Sequence, residues 1–229
     1  MGPDAKAWQA TRQRIDDASR AAGRPPDSVA LLAVSKTFAA AAVRALYALG
    51  QRAFGENYVQ EAAAKREALR DLPDLRWHLI GPLQGNKARL AATFDCVETV
   101  DRAKIADRLS SARSTALAPL DVLVQVNVSG EASKSGVAPA GAVELARYVA
   151  TLPNLRLRGI MGIPEPTPDE ARLRGQFRQL ARCLDGCRSA GLDVDTLSMG
   201  MSADLEVAIA EGATEVRIGT ALFGARSNP

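Results

Sequence analysis

The sequence predicts an α/β fold, a single (β/α)8 barrel of the TIM type with one extra helix at its N-terminus. Strand-like and helix-like segments alternate along the chain, and each later strand candidate is preceded by a helical pattern. A length of 229 residues suits one barrel. We therefore expect a single domain over residues 1–229, with residues 1–24 as a helical extension. An open doubly wound sheet is the alternative, but no Gly-x-Gly-x-x-Gly follows the first strand.

Eight short apolar runs, rich in β-branched residues and bounded by turn residues, predict the strands. They are Val29–Lys36, Ala53–Asn57, Leu75–Gly81, Cys96–Val100, Leu120–Ser129, Leu155–Ile163, Thr196–Ser202 and Glu215–Phe223.

Helical patterns fill the intervals between these runs, and several of them end at a glycine, the usual residue after a helix. They are Asp4–Ala22, Ala39–Leu49, Tyr58–Leu69, Lys87–Thr93, Arg102–Thr115 with Asp101 as its N-cap, Ala140–Leu152, Asp169–Ala190 and Leu205–Ala210.

The composition argues against several classes of partner. Charged residues make up 24% of the chain, the net charge is +3, and no basic block occurs, so we expect no nucleic-acid partner. The N-terminus lacks the apolar segment of a signal peptide, and no stretch approaches the length of a membrane span. We therefore expect a cytoplasmic protein that does not contact membranes.

Cysteine and histidine usage bears on the cellular compartment and on metal binding. The three cysteines, Cys96, Cys183 and Cys187, are an odd number, which favours reduced thiols in the cytoplasm. Cys183 and Cys187 lie one helical turn apart, and we interpret them as buried packing residues rather than a metal pair. The single histidine, His78, excludes a multi-histidine metal site and leaves open a supporting role at a strand end.

Lys36 is the most informative residue of the chain, since it ends the first buried run. The loops that follow the barrel strands carry the ligands of this fold. Of the 29 basic residues six are lysines, so the other 23 are arginines, and a buried lysine in such a chain needs a reason. A partly desolvated lysine is a nucleophile toward aldehydes, and arginine is not. A lysine that extends from a strand end into water is an equally good interpretation of the strand alone.

Two neighbouring strand ends have residues suited to phosphate. Ser202 is expected to open the helix that follows the seventh strand, so its hydroxyl and the helix N–H groups would face an anion. Gly219 and Thr220 end the eighth strand, and the loops after strands seven and eight form the usual phosphate site of barrels. Ser202 alone would be read as a helix cap, and its coincidence with Gly219 and Thr220 favours phosphate.

Arg217 has the same strand parity as Gly219, so its side chain is expected inside the barrel. A buried arginine requires a partner, which a ring nitrogen, a carboxylate or an internal salt bridge could supply. A lysine that forms a Schiff base, a phosphate site and a polar group for a ring nitrogen are together the parts of a pyridoxal phosphate site.

Six segments carry a specific resemblance to a known family. They are Ala33–Lys36, Phe54–Glu61, Trp77–Gly81 with Gln84–Lys87, Val126–Gly136, Leu197–Ser202 with Asp204 and Leu205, and Arg217–Gly224. With these segments the chain resembles the YggS/PROSC family of pyridoxal phosphate homeostasis proteins, single-domain barrels similar to the N-terminal domain of alanine racemase. The resemblance runs from the first strand to the end of the chain.

The resemblance implies roles for six residues. Lys36 would carry the cofactor, and Ser202, Gly219 and Thr220 would hold its phosphate. Arg217 would face the pyridine nitrogen, and Asn57 would lie near the ring. Pro82 departs from the family, in which many members have histidine after Ile-Gly, so no proton-transfer role is expected there.

We therefore expect a monomeric protein that holds pyridoxal 5'-phosphate as a Schiff base for intracellular homeostasis, without strong catalysis of its own. The recipients would be pyridoxal phosphate-dependent apoenzymes. An arginine at the ring nitrogen disfavours ring protonation, and we expect no second domain to supply an opposing acid–base residue. A racemase or lyase of the same fold, and a lysine-dependent aldolase, are the alternatives. Lys134, in the glycine- and serine-rich loop after the fifth strand, is expected to help receive or release the cofactor.

Overall fold

The predicted barrel is confirmed by a computed structural model, which describes residues 5–131 and 134–224. Eight parallel strands close into one barrel, each hydrogen-bonded to the next along the chain, and β8 pairs with β1. The strands are β1 Ala30–Val34, β2 Ala53–Glu56, β3 Arg76–Leu79, β4 Cys96–Val100, β5 Leu120–Val126, β6 Leu155–Gly162, β7 Thr196–Ser198 and β8 Glu215–Ile218.

Helices surround the barrel and connect its strands. Within the described residues they are α1 Ala5–Ala21, α2 Ala40–Ala48, α3 Val59–Ala68, α4 Ala88–Ala91, α5 Ala103–Ala112, α6 Ala142–Ala150, α7 Glu170–Ser189, α8 Leu205–Ala210 and α9 Thr220–Phe223. The expected N-terminal helix is present as α1, and the main core lies between the strands and this outer layer.

The last two predicted strands are shorter than expected. β7 ends at Ser198, and β8 ends at Ile218 because Gly219 leaves the extended conformation and is the N-cap of α9. Phe223, expected in the strand, is buried in this helix and stacks on Phe38 with the ring centroids 4.8 Å apart. The short apolar run after Gly219 and Thr220 fits the periodicity of a strand and that of a helix equally well. The pattern alone therefore does not locate the end of β8.

Two predicted helix caps were also wrong. Asp204, not Ser202, is the N-cap of α8, and Ser202 lies in the preceding turn. The Asp204 carboxylate accepts a hydrogen bond of 2.5 Å from the N–H group of Met201, which holds this turn. The N-cap of α5 is Arg102 rather than Asp101.

Cys96, Cys183 and Cys187 are buried and form no disulfide. Within the described ranges, every helix is too short or too polar to cross a lipid bilayer.

Candidate functional site

A cavity of about 550 Å³ opens at the carboxyl ends of the barrel strands. The parallel strands all end at this face, so the loops that follow them converge here. All six predicted site residues line this upper cavity, namely Lys36, Asn57, Ser202, Arg217, Gly219 and Thr220. Residues far apart in sequence are therefore brought together as expected.

Lys36 lies two residues beyond the end of β1 and is half-buried. The next residue, Thr37, has a φ of 70°. A β-branched residue is strained in this region, at a cost of about 1–3 kcal/mol. The Thr37 N–H group donates a hydrogen bond of 2.6 Å to the Glu61 carboxylate at the start of α3, which stabilises the strained turn. The backbone that carries Lys36 is therefore fixed by α3.

A buried ion pair lies beneath this turn. The Lys65 ammonium lies 2.7 Å from both the Glu56 and the Glu61 carboxylates and donates to the Ser35 carbonyl oxygen, also at 2.7 Å. The Ser35 hydroxyl donates to the same Glu56 oxygen at 2.5 Å. Burial raises the pKa of Glu56, although hydrogen bonds from Lys65 and Ser35 lower it.

Two hydroxyl groups form the candidate phosphate end of the cavity. The Oγ of Ser202 and the Oγ1 of Thr220 lie 3.5 Å apart. Thr220 begins α9, and the first N–H groups of a helix have no partner inside the helix. Arg14 of α1 holds the Ser202 turn, because its guanidinium donates to the Ser202 carbonyl oxygen at 3.2 Å while pairing with Glu206.

Arg217 reaches the floor of the cavity from β8 with 4% of its surface exposed. Its Nη1 donates to the Ser198 hydroxyl and its Nη2 to the Gly162 carbonyl oxygen, both at 2.8 Å. Burial lowers the pKa of Arg217 by more than the charges of Glu98 and Glu215 raise it, so this pKa lies below the usual value. The predicted inward orientation is correct, and within the described residues its hydrogen-bond partners are a hydroxyl and a carbonyl group.

Asn57 follows β2 directly, and its backbone packs closely against Gly81. A Cβ atom at Gly81 would overlap the carbonyl oxygen of Asn57, so only glycine fits there. The neighbouring Pro82 also lines the cavity and has no group that titrates or donates a hydrogen bond. It therefore contributes shape and no proton.

Lys134 lines the same cavity from the loop after β5. Its ammonium is 2.8 Å from the Glu131 carboxylate, and its side chain is 34% exposed. The Asn127 side chain donates to the carbonyl oxygens of Glu131 and Lys134, at 2.8 and 3.1 Å, which fixes both ends of the loop. Ala132 and Ser133 lie outside the described residues.

His78 faces the other end of the barrel, so it has no contact role in the upper cavity. It lines a second cavity, and its Nδ1 lies 2.8 Å from the Glu98 carboxylate. Burial lowers the pKa of His78, but its interactions with Cys96, Glu98 and Glu215 raise it by more, so this pKa lies well above the usual value.

Sequence reasoning missed the supporting residues of the site, which are Thr37, Glu56, Glu61, Lys65 and Ser198. One signal was available for two of them, because Glu61 and Lys65 have the i,i+4 spacing of a helical ion pair. The rarity of lysine drew attention to Lys36 and applies equally to Lys65, whose side chain is only 7% exposed.

Comparison with known proteins gives consistent matches over most of the chain. The family described as "Alanine racemase, N-terminal domain" matches residues 8–227. A pyridoxal phosphate homeostasis protein of Pseudomonas aeruginosa is 60% identical over 214 residues, which are 93% of this chain and 91% of that protein. A protein of the same name from Escherichia coli K12 is 50% identical over 218 residues, covering 94% and 93% of the two chains.

Solved structures agree with these sequence matches. The structure of PipY from Synechococcus elongatus with PLP bound has a TM-score of 0.81 and 40% identity, and the match covers 94% of this chain and 99% of that one. Alanine racemase from Clostridium difficile has a TM-score of 0.73 at 14% identity, over 92% of this chain and 56% of that one. The racemase likeness concerns the fold alone. This chain belongs to the alanine racemase N-terminal domain family and, within it, to the pyridoxal phosphate homeostasis proteins.

Proposed function

We propose that this protein binds pyridoxal 5'-phosphate in the upper cavity and serves intracellular homeostasis of that cofactor without strong catalysis of its own. The observation that carries the proposal is the convergence of a lysine, two hydroxyl groups and a buried arginine in one cavity of about 550 Å³. The names of the 50–60% identical relatives and the PLP-bound PipY structure support the choice of ligand.

Lys36 is the residue we assign to covalent attachment. When bound, the cofactor supplies an aldehyde that a lysine amine can condense with, releasing water, and an electron-withdrawing ring. The turn at Thr37 and its hydrogen bond to Glu61 orient the Lys36 backbone toward the cavity before any ligand arrives. Such preorganisation lowers the entropic cost of binding.

Ser202, Gly219 and Thr220 are assigned to the phosphate. The two hydroxyl groups can both donate to one anion, because their oxygens lie 3.5 Å apart. The backbone N–H groups at the start of α9 add donors that favour negative charge. The salt bridge between Arg14 and Glu206 keeps the Ser202 turn in place, which gives α1 a role in the site.

Arg217 and Asn57 are assigned to the ring. Guanidinium has donors only and does not release its proton in proteins, so Arg217 can hydrogen-bond a ring nitrogen but cannot protonate it. An unprotonated ring withdraws electrons weakly, which disfavours reactions that build negative charge next to it. Pro82 offers no acid or base beside the ring. These residues fit a binding protein without strong catalysis of its own.

We further propose that the protein acts in the cytoplasm, as a monomer, and delivers its ligand to pyridoxal phosphate-dependent apoenzymes. Three buried, unpaired thiols fit a reducing compartment. In the described part of the chain, the large exposed apolar side chains come from different segments, and two of them, Ile163 and Met201, line the upper cavity, which fits a monomer better than an extended interface. They are Tyr58, Leu90, Leu117, Tyr148, Ile163 and Met201.

A panel of amino acids incubated with the loaded protein tests the proposal. We expect purified protein to take up one equivalent of pyridoxal phosphate, seen as a yellow colour, and to racemise, transaminate or decarboxylate none of the common amino acids at enzyme-like rates. A colourless protein that does not bind the cofactor would refute the binding site. Rapid turnover of any amino acid would show instead that the protein is an enzyme.

A further inference from the structure

A second cavity, of about 430 Å³, lies at the opposite end of the barrel. Its lining includes the first residues of several strands, which places it at their amino ends, where barrels do not usually bind their substrates. These first residues are Ala30, Ala53, Arg76, Cys96, Thr196 and Glu215. The function proposed above uses none of them.

Three potential metal ligands meet beside this lower cavity, which His78 and Cys96 line and behind which Glu98 is buried. His78 and Cys96 are paired neighbours on β3 and β4, and Glu98 follows Cys96 by two residues, so all three side chains point into the barrel. One ligand atom from each lies within 4.8 Å of those of the other two. His78 Nδ1 is 2.8 Å from a Glu98 oxygen and 3.9 Å from the Oε2 atom of Glu215 on β8.

An unsatisfied carboxylate points to a missing partner. The Glu215 side chain is 9% exposed, and its Oε1 has no hydrogen-bond partner among the described residues. Glu98, which is completely buried, lies nearby, so two buried carboxylates share one imidazole nitrogen, which is 2.8 Å from Glu98 and 3.9 Å from Glu215. Buried carboxylates are normally paired or coordinate metals.

We propose that His78, Cys96, Glu98 and Glu215 form a zinc site inside the lower end of the barrel. Sulfur, nitrogen and carboxylate oxygen are the atoms that zinc selects, and four ligands complete its tetrahedral shell. Calcium and magnesium take oxygen ligands and would leave the thiol and the imidazole unused. The site lies at the opposite end from Lys36, so it does not depend on the proposed cofactor function.

Zinc binding would resolve the electrostatic conflict in this cluster. The Cys96 thiol loses its proton to solvent as the zinc–sulfur bond forms, and any proton on His78 or Glu215 is released as well. A thiol that coordinates zinc is held as the thiolate. The unpaired Glu215 oxygen would then gain a ligand bond.

The surroundings provide an outer shell and an entry path. The other oxygen of Glu98 accepts a hydrogen bond of 2.7 Å from the Ser198 hydroxyl, the kind of contact that orients a metal-binding carboxylate. The cavity opens between charged side chains at the surface, among them Arg158, which pairs with Asp121 at 3.1 Å and with Asp195 at 2.8 Å. These ion pairs neutralise arginine charge that would otherwise repel an entering cation.

Metal titration of the purified protein without an affinity tag tests the proposal. After removal of metal with a chelator, we expect one zinc ion per chain in calorimetry. With cobalt(II) as a probe, we expect the visible bands of tetrahedral cobalt together with a thiolate charge-transfer band. Cys96→Ser should abolish that band and weaken zinc binding at least tenfold, and Glu215→Gln should also weaken zinc binding tenfold or more.

Cys183→Ser is the matched control, since it also removes a buried thiol but one on α7, outside the cluster. It should leave zinc affinity and the cobalt spectrum unchanged. Circular dichroism must show that each variant is folded, and if Cys96→Ser does not fold, the near-isosteric Glu215→Gln carries the test. Absence of stoichiometric zinc binding, or a cobalt spectrum without a thiolate band, would overturn the proposal.

Discussion

Lys65 donates a hydrogen bond of 2.7 Å to the carbonyl oxygen of Ser35, the residue immediately before Lys36. The same ammonium pairs with Glu56, whose side chain is completely buried. The backbone that presents the candidate cofactor lysine is therefore held by a second lysine, and its stability depends on that ion pair.

Removal of Lys65 should destabilise the protein strongly. Lys65→Ala leaves Glu56 buried without its cation, and we expect the free energy of unfolding to fall by about 3–5 kcal/mol. The double variant Lys65→Leu/Glu56→Leu removes both charges and should cost much less. Urea denaturation of both variants measures the difference. If the two cost the same, the ion pair does not carry the effect.

The pH dependence of stability should report on Glu56. Its pKa is raised in the folded protein, chiefly by burial, so above about pH 4.5 the folded state keeps a proton that the unfolded state has lost. The free energy of unfolding should therefore fall as the pH rises from about 4.5 toward the raised pKa. Glu56→Gln removes this proton and should flatten the profile in that window. An unchanged slope in the variant would contradict the assignment.

Ser202 and Thr220 should contribute affinity for phosphate rather than for the aldehyde. Each hydrogen bond to a charged group is worth about 1.5–3 kcal/mol, so Ser202→Ala/Thr220→Ala should weaken pyridoxal phosphate binding at least tenfold. Binding of unphosphorylated pyridoxal should change little. Spectrophotometric titration with both ligands separates the two effects, and equal losses for both would show that the residues support the fold instead.

Lys134 should affect transfer of the cofactor. Arginine keeps the charge and the ion pair with Glu131 but cannot form a reversible imine, so Lys134→Arg should slow release to an apoenzyme while loading at Lys36 stays normal. The control is Lys104→Arg, an exposed lysine on α5. Transfer at the same rate in wild type and both variants would leave Lys134 as an ordinary surface charge.

The barrel was predictable from the sequence because its signal is repeated. Eight alternations of short apolar runs with helical patterns leave few topologies, and each predicted run contains the corresponding observed strand. Strand ends were less predictable, as 215–223 shows, because apolar residues after Gly219 fit a strand or a helix equally. N-cap propensity does not predict that Asp204 rather than Ser202 caps α8, since both residue types are good caps.

Only the residues that line the candidate site were predictable from the sequence, and the residues that support them were not. Lys36, Ser202 and Thr220 could be placed together because strand ends meet at one face of a barrel, whatever the details of packing. Contacts such as those of Arg217 with Ser198 and of His78 with Glu98 depend on the stagger between neighbouring strands of the barrel. A single sequence does not contain that register, so these networks appear only in the structure.

Borohydride trapping tests whether Lys36 holds the cofactor. Wild-type protein loaded with pyridoxal phosphate and reduced should yield a phosphopyridoxyl label on the peptide that contains Lys36, located by mass spectrometry. Lys36→Ala should lose both the visible absorption and the label, whereas Lys104→Ala should keep them. A Lys36→Ala protein that retains the absorption and a stoichiometric label would contradict the account.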